Sequence, residues 1–419
     1  MPSPSSLFEP CAPPAPPAVP RGRPDTPGGP GRRPGEALPR HYYVDDAVFA
    51  AEIDGVLSSG WLLAGHSCEL PDAGDYLVVD VGPESVIVNR DRCGALQAHH
   101  NVCRHRGSRL TAQRRGHARS FVCPYHQWVY DLDGSLRSAR LMGPDFCPEG
   151  YGLVPVALEE LAGLLFISLA AEPPPFAPAA AAIGPQLAPH GLTQARVARR
   201  DHYRVGANWK TIVENNRECY HCRGSHPELC LSNFDLGTHG DVRRRADYDE
   251  ALAGAYRRWE GDGLAPREVT FPDGTWYRVS RLPLKAGFRT ESIDGRPVAP
   301  PLGSLGGADP GSLRLVGLPT MWAHANLDYA VTTRLTPRDP ATTDIEVTFL
   351  VDAGAREGVD YDSETLSAVW RATCEQDWAL CENNYAGIRS RAYRPGPLSP
   401  VIENSVDAFL DWYLDQMVA

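Results

Sequence analysis

Asn101-Val102-Cys103-Arg104-His105-Arg106-Gly107 and Cys123-Pro124-Tyr125-His126-Gln127-Trp128 are the two stretches on which the reading of this chain turns. Cys103-x-His105, 17 intervening residues and Cys123-x-x-His126 present two thiols and two imidazoles on two short loops. With 11 Cys and 13 His in 419 positions, such a spacing arises by chance about 10⁻³ times. Two metal chemistries use this donor set. One is a closed tetrahedral zinc site; the other is a two-iron, two-sulfide cluster with both cysteines on one iron and both histidines on the other. Zinc knuckles commonly pair two cysteines, whereas each loop here pairs one Cys with one His, so each half can supply one ligand to each iron. Imidazoles in place of thiolates raise the reduction potential, which suits a centre that passes electrons onward to an oxygen-activating site.

Around these loops, alternating apolar residues predict strands over 76–81, 85–89, 95–99, 121–122 and 164–169, with Asp133-Gly134 as a turn. A small antiparallel β unit is therefore expected over 61–170. Before it, Val44, Val48, Phe49, Ile53, Val56 and Leu57 recur at helical spacing, which predicts a helix within 39–60. Residues 1–40 hold 13 of the 39 prolines, and 1–38 read as a disordered Pro/Gly/Arg-rich arm. An Ala/Pro-rich linker is expected over 171–198, followed by a second domain over 199–419 with strands at 276–280, 313–316, 331–335 and 345–351 and two closing helices. Ser399 reads as the N-cap of the last helix, with Pro400 at its first position. There is no internal repeat.

The balance of 41 basic and 52 acidic residues, a net −11, argues against nucleic acid or anionic lipid as a partner. No stretch reaches the roughly 20 apolar residues of a membrane span, and no secretory signal pattern opens the sequence, so a cytoplasmic protein is expected. An odd cysteine count does not suggest a disulfide framework, and Cys219-x-x-Cys222 reads as buried structural cysteine rather than a redox pair.

A second constellation runs Glu214-Asn215-Asn216-Arg217-Glu218-Cys219-Tyr220-His221-Cys222, then His226-Pro227. Asn208-Trp209-Lys210 reads as a helix entry, with Glu214, Glu218 and His221 on one face. Gly224 and Pro227 break the helix, so His226 can fold back towards His221. Oxygen-binding iron usually sits in a two-His, one-carboxylate triad. Asp377, on the inward stripe Leu366, Val369, Trp370, Thr373, Asp377, Leu380 and Cys381 of a helix over 363–388, is a carboxylate that needs a cation if buried.

With these words quoted, and with Leu38-Pro39-Arg40-His41-Tyr42-Tyr43, Gln376-Asp377 and Tyr393-x-Pro395-Gly396-Pro397, the chain resembles the α subunits of Rieske non-haem iron oxygenases from about Leu38 onward. These words are similar to those of the members acting on quaternary and methylated amines, such as the glycine betaine and stachydrine demethylases. The resemblance implies an α+β protein with an antiparallel β Rieske [2Fe-2S] domain inserted in a helix-grip catalytic domain whose curved antiparallel sheet holds a long helix. It implies that Cys103, His105, Cys123 and His126 hold the cluster, that His221, His226 and Asp377 hold a mononuclear Fe(II), and that Glu218 bridges the two centres across a homotrimer. It further implies O2 as co-substrate and NAD(P)H as the electron source through a separate flavin/iron-sulfur reductase. The expected reaction is N-demethylation with formaldehyde release, the alternative being C-hydroxylation or amine oxidation of a larger metabolite. Trp322, Tyr329, Trp378 and Tyr385 are the candidate aromatic walls for a quaternary ammonium, whose nitrogen cannot be held by hydrogen bonds and is attracted by ring faces.

Overall fold

The computed structural model describes residues 31–234, 242–264 and 275–418. The chain forms two compact units, one of Leu70–Leu158 and one of the described parts of Asp25–Glu69 and Glu159–Ala419. The first is thus inserted in the sequence of the second, and its ends fall within the expected 61–170.

In the inserted unit a four-stranded antiparallel sheet runs in the order Leu96–His100, Glu84–Arg90, Asp75–Val81 and Arg115–His117. A three-stranded sheet of Phe121–Val122, Val129–Tyr130 and Leu136–Ser138 accompanies it. Leu77, Val79 and Val81 are buried at every second position, the pleat periodicity that selects a strand with one face on a core. Tyr76, Ile87, Phe121, Trp128 and Tyr130 form that core together with Cys103 and Cys123, so the cysteines are rooted in packed residues. Gly134 turns the last hairpin at φ +86°, and a Cβ there would lie 2.3 Å from His99 Nε2, which restricts the position to glycine.

The second unit is built on a six-stranded antiparallel sheet, ordered Ala195–Val205, Thr342–Asp352, Ala330–Asp339, Met321–Ala325, Ser312–Gly317 and Tyr277–Leu282. The 26-residue helix Ser363–Ile388 starts at Asp362, whose carboxylate accepts from Thr365 N at 2.8 Å. Leu366, Trp370, Cys374, Trp378 and Cys381 of this helix share one core with Val331, Val347 and Phe349 of the sheet. Leu366, Val369, Trp370, Thr373 and Cys381 of the expected inward stripe are buried, whereas Leu380 is exposed and Cys374 and Trp378 join the buried face.

Three expectations are corrected. Residues 31–38 of the supposed disordered arm are ordered: Leu38 is fully buried, Ala37 N donates to Gly396 O at 2.9 Å, and Arg32 pairs with Asp407 and Asp411. Residues 1–30 lie outside the described residues. The supposed linker holds a helix, Ala177–Leu187, whose Ala179, Ile183 and Leu187 are buried. The last helix begins at Asn404 rather than after Ser399, because Ser399–Glu403 closes a turn (Glu403 N to Ser399 O, 2.9 Å) before the stripe of Val406, Phe409, Leu410 and Tyr413 begins.

The helix Trp209–Asn216 enters as expected, with Asn208 Oδ1 accepting from Lys210 N at 3.0 Å. Lys210 and Glu52 form a fully buried ion pair, and Glu52 also accepts from Trp209 Nε1 at 2.8 Å and Tyr413 OH at 2.6 Å. A buried pair contributes little net stability when intact, but removing one partner strands a charge. The helix is thereby tied to both the N-terminal helix Asp46–Glu52 and the C-terminal helix Asn404–Val418.

Candidate metal centres and substrate cavity

In the inserted unit the first loop is buckled by Asn101. Its Oδ1 accepts from Leu110 N at 2.9 Å and its Nδ2 donates to Thr111 O at 2.8 Å. Cys103 N donates to Ser108 O at 2.9 Å, and the second loop is closed by Cys123 N to Trp128 O at 2.8 Å. Both cysteines are buried. The rings of His105 and His126 lie 4.5 Å apart, and His105 stacks on Trp128 at 4.9 Å. The structure therefore brings all four expected ligands together. Burial pushes the Cys103 thiol up, with the Tyr130 hydroxyl and the His105 amide opposing. At Cys123 burial is outweighed by donors that include the Tyr125 and His126 amides, which hold it low. Backbone donors aimed at sulfur are what a thiolate ligand requires. His105 Nδ1 is buried with no hydrogen-bond partner, which leaves it for metal. With two thiols and the second imidazole, that of His126, gathered on the same pair of loops, the residues fit a cluster.

In the second unit the expected continuous helical face is not formed. The helix stops at Asn216, the chain turns through 217–221, and a single turn, Cys222–Ser225, leads to His226. His226 N closes this turn on Cys222 O at 2.8 Å before Pro227 ends it. Glu214 consequently points away from Glu218 and accepts from Tyr43 OH at 2.8 Å. The same turn brings the Cα atoms of Cys219 and Cys222 to 4.9 Å, and the two form a disulfide, correcting the expectation of separate structural cysteines.

His221, His226 and Asp377 converge. Asp377 Oδ1 lies 3.2 Å from His221 Nε2 and 2.9 Å from His226 Nε2. Bonds of roughly 2.1 Å at right angles place neighbouring ligand atoms about 3.0 Å apart, so both carboxylate–imidazole distances match adjacent positions of an octahedral site. His226 Nε2 is buried and makes no well-directed hydrogen bond despite its 2.9 Å approach to Asp377. Both nitrogens away from this point are fixed: Glu218 Oε1 accepts from His221 Nδ1 at 2.6 Å, and Gln376 Oε1 accepts from His226 Nδ1 at 2.8 Å. These contacts select the tautomers that turn both Nε2 lone pairs to one point. Burial alone would lower His221, but Asp377 and Glu218 push it up to about 9, and burial of Asp377 is outweighed by the two imidazoles, which hold its carboxyl low. Both shifts describe a site short of positive charge, and the residues fit a ferrous ion.

A cavity of ≈ 190 Å³ opens on this triad and is walled by Trp322, Trp370 and Trp378. Two of the four expected aromatics are therefore misplaced. Tyr329 is fully buried behind the wall, donating to Glu291 O at 2.6 Å and accepting from Trp370 Nε1 at 3.0 Å. Tyr385 lies on a separate cleft beside Arg40, His41 and Arg389, because two turns of helix carry it past the triad. Trp370 and Gln376 belong to the site as well, and the place of Gln376 next to Asp377 is the sequence signal for it.

Glu214 offers a test of this helix. Burial pushes its carboxyl from an ordinary 4.5 up to about 7, against opposing contributions from Tyr43 and Lys210. A raised carboxyl favours the folded state fully below pH 4.5 and loses that contribution as pH rises through about 7. Glu214→Gln should therefore gain stability relative to the parent protein between these values, by on the order of 3 kcal/mol, and level off above. Urea unfolding of both proteins at pH 5 and pH 8 reads this; a stability difference that is flat with pH contradicts it.

Residues 192–419 match the ring hydroxylating alpha subunit (catalytic domain) family and residues 60–156 match the Rieske [2Fe-2S] domain. The chain belongs to the ring-hydroxylating α-subunit family of Rieske oxygenases. It is 42% identical over 390 residues to the glycine betaine monooxygenase oxygenase subunit of Chromohalobacter salexigens, covering 93% of this chain and 87% of that relative. The carnitine monooxygenase oxygenase subunit of Escherichia coli K12 is 36% identical over 201 residues, 45% of this chain and 52% of the relative. A crystal structure of the quaternary ammonium Rieske monooxygenase CntA in complex with an inhibitor, 22% identical, superposes with a TM-score of 0.70 over 91% of this chain and 95% of that one, a likeness of fold. The chain is an oxidoreductase of the kind that uses a Rieske cluster, mononuclear iron and O2, with electrons from a separate reductase. No helix among the described residues is long and apolar enough to cross a membrane.

Proposed function

We propose that this protein is the oxygenase component of a two-component monooxygenase that removes a methyl group from a small quaternary or methylated amine. The observation that carries the reading is the three-tryptophan wall on the cavity beside His221, His226 and Asp377. A quaternary nitrogen has no N–H to donate, and an indole face attracts it by about 0.5–2 kcal/mol per contact, depending on desolvation. The cavity of ≈ 190 Å³ falls below the roughly 300–1,000 Å³ of sites for drug-sized ligands. The names of the relatives, acting on glycine betaine and carnitine, point the same way.

In this reading Cys103, His105, Cys123 and His126 hold the cluster, and His221, His226 and Asp377 hold ferrous iron. When bound, these groups store electrons and activate O2. Glu218 and Gln376 keep the imidazoles in the ligating tautomer, and the tryptophans hold the ammonium with a methyl group towards the triad. Two electrons, two protons and one O2 convert the N-methyl to N-hydroxymethyl and one water. The C–N bond then breaks, its electron pair stays on nitrogen, and formaldehyde and a proton leave. Electrons enter from a separate flavin/iron-sulfur reductase in the cytoplasm. The working form is a head-to-tail homotrimer in which Glu218 stands between His221 and the partner subunit's His126. In support, the loop carrying His126 presents Tyr125 59% exposed.

The test is turnover of anaerobically reconstituted protein with a reductase over a panel of methylated amines. Formaldehyde should equal the O2 consumed, to within coupling losses. A hydroxylated product that keeps all its methyl groups would favour the C-hydroxylation alternative instead.

A further inference from the structure

Four cysteines stand on the wall of the cavity beside the triad: Cys219, Cys222, Cys230 and Cys374. Cys219 and Cys222 are joined to each other, whereas Cys230 and Cys374 are in no disulfide. The bonded pair flanks His221 in the sequence. Cys222 Sγ and one ring nitrogen each of His221 and His226 lie within 4.8 Å of one another, so sulfur sits close to the imidazoles of the triad. Cys219 is half-buried and Cys222 is buried, which makes Cys219 the sulfur that a solute in the cavity reaches first.

A structural staple is a poor account of this pair. A disulfide stabilises chiefly by closing a long loop of the unfolded chain, and a separation of three residues closes a very short one. The segment is already held by its own backbone, with Cys222 N donating to Cys219 O at 3.3 Å, Ser225 N to His221 O at 3.1 Å and His226 N to Cys222 O at 2.8 Å. Cys-x-x-Cys pairs are the kind that cycle between dithiol and disulfide at cellular potentials. The disulfide also leaves the triad assembled: Asp377 Oδ1 stays 3.2 and 2.9 Å from the two Nε2 atoms, and Glu218 keeps its 2.6 Å bond to His221 Nδ1. Oxidising the pair therefore does not dismantle the metal site.

O2 that takes up two electrons and two protons in this cavity with no methyl group in reach leaves as hydrogen peroxide, and sulfur and imidazole are the oxidisable groups it meets there. We propose that Cys219 and Cys222 are a peroxide-consuming dithiol that protects the triad from this by-product. Cys219 sulfur attacks the peroxide: an S–O bond forms, the O–O bond breaks, and one water leaves a sulfenic acid behind. Cys222 sulfur then attacks Cys219 sulfur, the S–S bond forms, the S–O bond breaks and a second water leaves. Two thiols and one peroxide thus give one disulfide and two waters, and an external dithiol restores both thiols by exchange. A resolving sulfur three residues away stops the first at the reversible stage, before sulfinic acid. This role rests on the oxygen-activating reading of the triad and not on the identity of the amine.

In the test, fully loaded protein is treated anaerobically with dithiothreitol, desalted and titrated with hydrogen peroxide; thiols are then alkylated and mapped by mass spectrometry, and iron is counted. About one peroxide per chain should close the Cys219–Cys222 disulfide while Cys230 and Cys374 remain open to alkylation and iron is retained. Cys219→Ser should lose the protection, the same dose releasing at least about threefold more iron than from wild type and leaving oxidised His221 or His226. Oxidation of Cys230 or Cys374 ahead of the pair overturns the proposal, and so does equal iron loss from the two proteins. Mapping on the wild type needs no variant and decides the matter alone if Cys219→Ser does not fold. The two readings fail separately. Closure of the disulfide by added peroxide in a protein that consumes no O2 with its reductase removes the oxygenase reading and leaves the thiol chemistry, whereas formaldehyde from a protein whose pair ignores peroxide does the reverse.

Discussion

Asp377→Ala is expected to lower turnover by at least about a thousandfold while leaving the cluster intact. Asp377 Oδ1 is the atom both Nε2 groups approach, at 3.2 and 2.9 Å, and alanine leaves two neutral imidazoles without the carboxylate that draws a divalent cation. Protein purified anaerobically should lose about one iron per chain and keep its acid-labile sulfide and visible absorption. Retention of full iron and turnover would show that the convergence of these three side chains is an ordinary buried ion-pair network.

Cys103→Ser should give the opposite pattern and an equally large loss of reductase-driven turnover, again about a thousandfold or more. Sulfide and visible absorption should vanish while the lone iron stays. A stability cost is expected as well, because Cys103 is packed among Tyr76, Phe121 and Tyr130, and a hydroxyl placed there lacks the metal bond that a thiolate would make. Thermal unfolding should show this loss, and visible spectra of the two variants compared side by side separate the centres. A Cys103→Ser protein that kept its colour would remove the cluster assignment.

The cluster loops were legible because both ligand pairs are local: two or three residues fix each Cys–His spacing, and the alternating strands around them fix the hairpins that carry the loops. The triad was legible only in part. His221 and His226 were found as a pair, but the expected helical face through Glu214 and Glu218 was wrong, since tertiary contacts from Tyr43 draw Glu214 aside and the helix ends at Asn216. The aromatic wall depended on which way single side chains face at the far ends of strands and a 26-residue helix, and there two of four choices failed. The strand Ala195–Val205 went unseen because its arginines and acids hide the alternation, and the helix Val242–Gly261 because it is charged along much of its length.

The chain's discontinuity has a consequence for how it is made. The cluster-bearing unit is complete once residue 158 has left the ribosome tunnel. The iron-bearing unit must wait much longer, since Arg32 and Glu52 find their partners far along the chain at Asp407, Asp411 and Tyr413. The cofactors would then be installed in a fixed succession, sulfur and iron first and ferrous ion last, and a nascent chain stalled before residue 404 would carry colour without an oxygen-activating centre.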